Sequence, residues 1–119
     1  MHAQIPNFEM PDDAAVQVAA AAFRMLSDEN RIKILVALLQ GESSVNCLAD
    51  LIGANPSAVS QHLAKLRLAG LVTVRREGTY AYYQAANSHV KRLLDEALSH
   101  ADHAASSVPL ATPHLPQRS

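Results

Sequence analysis

A chain of 119 residues with 49% hydrophobic content fits one domain with a core, and a domain this small gains from burying more surface in an oligomer. Aromatic residues make up 4% with no Trp, while Ala and Leu abound, which favours a mainly helical architecture with slim helix contacts. A single cysteine, Cys47, excludes an intramolecular disulfide, no basic-then-apolar leader opens the chain, and no segment approaches the roughly 20 uninterrupted apolar residues of a membrane span. The expected setting is the cytoplasm, with no membrane partner.

A net charge of −1 argues against nucleic acid only if it is evenly spread. Between Ala54 and Gln84, four cations (Lys65, Arg67, Arg75, Arg76) face one anion, Glu77, for a local charge of +3. The remaining six basic and ten acidic residues leave −4 elsewhere. A basic module on an acidic body is the pattern of a DNA reader with a separate regulatory surface.

Residues 1–10 show no period and read as a flexible arm. Pro11, Asp12 and Asp13 supply a helix start, predicting a first helix from Asp13 to about Leu26 whose alanines permit close helix approach. Ser27, Asp28 and Glu29 open a second helix, in which Ile32, Leu35, Val36 and Leu39 share one face and Gly41 is the stop. Ser44 caps a short third helix that ends at Gly53. Asn55 and Pro56 then form a cap and first-turn proline for a fourth helix running to about Ala69, ended by Gly70.

Two short helices joined through Gly53-Ala54-Asn55 match a helix-turn-helix, whose second helix enters the major groove. In that helix Val59, Leu63 and Leu66 form the apolar face. Ser57, Gln61, Ala64 and Leu68 lie opposite, with Ser60, His62 and Lys65 on the flanks. Gln reads adenine bidentately, Ser and His reach base edges, and Lys65 and Arg67 neutralise phosphates. An ordinary surface helix is the competing reading of this face.

The β-prone runs Leu71–Arg76 and Thr79–Gln84, joined through Glu77-Gly78, predict a hairpin directly after the helix-turn-helix, which is a wing. Arg75 and Arg76 near its tip are placed to meet phosphate or the minor groove, against the alternative of a charged edge strand that resists aggregation. Asn87 or Ser88 caps a last long helix to about Ser106, with Val90, Leu94, Ala97 and Ala101 as its apolar stripe. Together with the first helix it forms the natural dimer surface. The expected fold is therefore mainly α with a β-hairpin wing: a dimeric winged helix-turn-helix of four helices, two strands and a fifth helix. The organisation is an arm over 1–10, a DNA-binding and dimerisation domain over 11–106, and a Pro- and His-containing tail over 107–119.

The segments FRMLSDENR (Phe23 to Arg31), SAVSQHLAKLRLAGLV (Ser57 to Val72) and RREGTYAYY (Arg75 to Tyr83) together resemble the ArsR/SmtB family of bacterial metal-sensing repressors, in the family's order and over roughly residues 15 to 105. The resemblance implies a homodimer that binds operator DNA near its own gene and releases it when an inducer binds. It also puts Ser57, Ser60, Gln61 and His62 at recognition-helix positions.

Three histidines, His89, His100 and His103, lie on the last helix. His89 and His100 sit roughly 16 Å apart along the axis, so one helix cannot gather them, but an antiparallel copy in a dimer brings His89 of one chain opposite His100 and His103 of the other. Asp102 adds a carboxylate, and the spacing matches the family's last-helix sensor site, where Asn87 here replaces the usual first Asp. Similarity from Val45 through Leu71 and in the HADHA ending is greatest to the nickel- and cobalt-sensing branch, whose members recruit extra ligands from mobile ends. That implies nickel or cobalt as inducer at His89, Asp102 and His103, with His100 and His114 contributing and His2 as a further nitrogen donor; zinc is the alternative. A solvated His face is the plain reading.

Aligned through SQHL, Ser44 and Asn46 occupy the paired-Cys positions by which other family members bind thiophilic metals, leaving Cys47 outside that site as an incidental thiol. No Gly-rich phosphate loop, nucleophile motif or paired carboxylates support an enzyme. A winged protein-interaction module without DNA is the remaining rival.

Overall fold

In a computed structural model, residues 4–107 are described, with His2 and His114 outside them. The element order is α1 (Asp13–Met25), α2 (Glu29–Gln40), α3 (Val45–Ile52), α4 (Pro56–Leu68), β1 (Val72–Glu77), β2 (Tyr80–Ala85) and α5 (Ser88–Ser107). None of these helices is long and apolar enough to cross a membrane.

Short polar side chains start the helices by accepting otherwise unpaired backbone N–H groups. Asp12 accepts from Ala15 at 2.8 Å, Asp28 from Arg31 at 3.0 Å, Ser44 from Cys47 at 3.2 Å and Asn55 from Ser57 at 2.7 Å. Asn87 starts α5, its oxygen taking the amides of His89 at 2.9 Å and Val90 at 3.4 Å. Gly53 closes α3 in the left-handed conformation, with φ 68° and ψ 41°, a geometry a Cβ penalises. The chain can then reverse within three residues into α4.

The core gathers Ile34, Leu35 and Leu38 of α2, Leu48 and Ala49 of α3, Val59, Leu63 and Leu66 of α4, Leu71 and Val72 at the start of the hairpin, and Val90 and Leu94 of α5. The α4 face agrees with the spacing. On α2 the expected stripe is displaced: Leu35 is buried, but Ile32, Val36 and Leu39 are only partly so, while Ile34 and Leu38 join Leu35 in the core. This helix is apolar on two faces. Its second face lines an open groove with Leu51 of α3 and Leu98 of α5.

The wing is an antiparallel pair with Glu77 opposite Tyr80, which makes Gly78-Thr79 the two-residue turn, one position later than Glu77-Gly78. Gly78 has φ 62°, at the first central position where a type II′ hairpin places glycine. Ser43 pairs with Tyr83 on the other side of β2, so the loop before α3 forms a one-residue third strand.

Helix α1 has no buried residue, and Val16, Val18 and Phe23 are among its exposed side chains. Past Leu94, α5 leaves the core as well: Ala97, Leu98 and Ala101 are exposed.

Candidate nucleic-acid interface and histidine helix

Burial of Val59, Leu63 and Leu66 fixes the rotation of α4 and turns Ser57, Ser60, Gln61, Lys65 and Arg67 to solvent. The result is an exposed polar ridge with cations at its C-terminal end, where the helix dipole favours them. Leu68, 90% exposed, sits beside Arg67 on that ridge.

His62 is different. Its side chain is 17% exposed and turned toward the start of α2, with Nε2 3.9 Å from an oxygen of Asp28. Arg31 donates to its Nδ1 at 3.3 Å; because a guanidinium only donates, that ring nitrogen is the acceptor. The same guanidinium donates to the Met25 carbonyl at 2.8 Å and the Arg24 carbonyl at 3.4 Å, tying the end of α1 and the start of α2 to the recognition helix. The Arg31 backbone N–H, with help from the Arg31 charge, holds the Asp28 carboxyl below its usual range. Arg31 and Asp28 escape a search for base readers, since only the fold brings them to His62.

On the wing, strand alternation puts Arg75 and Arg76 on opposite faces. Arg75 grips Glu42 with two hydrogen bonds, Nε at 3.1 Å and an NH2 nitrogen at 2.8 Å, and pairs with Glu77 at 3.2 Å. It also lies 4.9 Å from the centre of the Tyr82 ring, which stacks with Tyr80. The bond to Arg75 lowers the Glu42 pKa and raises that of Arg75. Glu42 is a third residue that spacing does not reveal. Arg76 is exposed and makes no ion pair among the described residues.

Along α5, His89, His100, Asp102 and His103 are all exposed. Arg92 donates to Nδ1 of His89 at 2.8 Å. Among the described residues of one protomer, no three His, Cys, Asp or Glu side chains gather closely enough to hold an ion. An imidazole pair at i, i+3 and one three turns away suit a shared ion only with a second chain. Cys47 is exposed in the first turn of α3.

Sequence and fold comparisons agree on one family. The family model described as bacterial regulatory protein, arsR family, matches residues 28–74, spanning α2 to the first half of β1. The HTH-type transcriptional regulator KmtR of Mycobacterium tuberculosis is 43% identical over 109 residues, 92% of this chain and 83% of the relative. A cadmium resistance transcriptional regulatory protein CadC homolog of Staphylococcus aureus is 38% identical over 88 residues, 73% of each. The solution structure of the homodimeric winged helix-turn-helix DNA-binding domain of Mb0332 from Mycobacterium bovis superposes with a TM-score of 0.76 at 31% identity, over 92% of this chain and 100% of that one. With the winged helix-turn-helix in place and this identity along nearly its whole length, the chain belongs to the arsR family of bacterial regulatory proteins, as a DNA-binding transcriptional regulator and not an enzyme.

Proposed function

We propose that this protein is a cytoplasmic, metal-responsive repressor that binds operator DNA as a homodimer and lets go when nickel or cobalt binds, with zinc as the alternative ion. The observation that carries the reading is the placement of His89, His100 and His103 on one exposed helix that outruns its own core. Exposed apolar side chains on α1 and α5 supply a surface for a second copy, and the Mb0332 domain is homodimeric. The cadmium-resistance relative supports a metal trigger in general. In the dimer, His89, Asp102 and His103 form the shared site with His100, and His114 of the tail contributes. DNA is met by Ser57, Ser60, Gln61, Lys65, Arg67 and Arg76, while His62 and Arg75 are engaged within the protein by the contacts above.

Metal binding acts on repression only through a difference in DNA affinity between two dimer forms. The test is an operator-binding assay on DNA upstream of the protein's own coding region, titrated separately with nickel, cobalt and zinc. Nickel or cobalt is expected to release the DNA, and His89→Ala or His103→Ala to abolish release while metal-free affinity persists. No response to any of the three ions, or an intact response in both variants, removes this reading.

A further inference from the structure

We propose that Arg75 is not a phosphate ligand of the wing but its strut: with Glu42 as counterpart, it ties β1 across β2 to the loop before α3. Three observations meet there. The backbone of Ser43 joins β2 through two hydrogen bonds with Tyr83, of 3.0 Å and 2.8 Å, which brings the neighbouring Glu42 to the sheet edge away from β1. From β1, where it stands opposite Tyr82, Arg75 reaches over that ring and holds both Glu42 oxygens. Its third nitrogen pairs with Glu77 at 3.2 Å.

All three guanidinium nitrogens are thus matched to carboxylates, and two anions surround one cation. The local charge at Arg75 is negative, which repels a phosphate and leaves no unbalanced cation to displace counterions. A bidentate Arg–carboxylate grip is also the geometry with the most positional control among exposed pairs. Arg76, on the opposite face and without an ion pair among the described residues, is left as the wing's cation for DNA.

The test combines two readouts on the full chain. Binding to a random-sequence duplex over a range of salt gives the slope of log affinity against log salt. Arg75→Ala is expected to keep the wild-type slope, whereas Arg76→Ala reduces its magnitude by about 0.9, the value of one phosphate. Amide exchange at Ser43 and Tyr83 is expected to quicken about fivefold in Arg75→Ala and equally in Glu42→Gln, with no further change in the double variant. A slope reduced by about 0.9 in Arg75→Ala, or exchange unchanged in either single variant, overturns the strut. The exchange arm needs neither DNA nor metal, so its outcome is separate from that of the metal titration.

Discussion

Replacing Arg31 with Met keeps the length and apolar stem of the side chain and deletes its donors, so the loss measures the tie between α1, α2 and the recognition helix. The bond to the Met25 carbonyl, 2.8 Å long and donated by a cation, belongs to the class worth about 1.5–3 kcal/mol. The contacts to Arg24 at 3.4 Å and to His62 at 3.3 Å are long and add little. Because the stem still packs, the apolar loss is small, and the expected destabilisation is about 2 kcal/mol. Urea unfolding at one fixed protein concentration reads it as a lower midpoint with an unchanged slope, the fixed concentration keeping any association term constant. His62→Ala should cost less in the Arg31→Met background than in the wild type, since its donor has already gone. A loss below about 0.5 kcal/mol, the range of a bland surface change, would refute the claim that this guanidinium organises the helix junction.

Leu63→Ala, at a fully buried site of α4, is expected to cost about 2–5 kcal/mol in the same unfolding assay and to weaken duplex binding with it. The Glu42 carboxyl, held below its ordinary value of 4.5 by Arg75, stabilises the wing fully above that value and ceases to do so as pH falls through the lowered one. Wing amides should therefore stay protected at pH 5 and lose protection in stronger acid, after correction for intrinsic exchange, and Glu42→Gln should remove that pH dependence.

What the sequence made legible was local. Caps act over two or three residues, so Asp28, Ser44, Asn55 and Pro56 mark their helices wherever the rest of the chain goes, and helix spacing alone puts Val59, Leu63 and Leu66 inward. The hairpin was legible too, but its turn sits one residue later than expected, because Gly78 takes the first of the two central positions and not the second. On α2, spacing finds an apolar face without saying which of two such faces meets the core. Ties across the fold were illegible: Arg75 and Glu42 are 33 residues apart and Arg31 and His62 are 31 apart, distances over which no periodicity operates. Arg75 and His62 both look like DNA contacts in the sequence, yet both are held by partners that only the packing of α2 against α4 and the wing brings near.

Asn87 fastens the first turn of α5 through its amide oxygen. An uncharged fastener has no proton to gain in acid. The cap of α2 is an aspartate, held ionised below its usual range, and weakens once protonated, whereas the root of the histidine helix is indifferent to that titration. Acid therefore slackens the two ends of the molecule unequally: the junction around α2 and the wing give way as Asp28 and Glu42 are protonated, while the base of α5 keeps its anchorage.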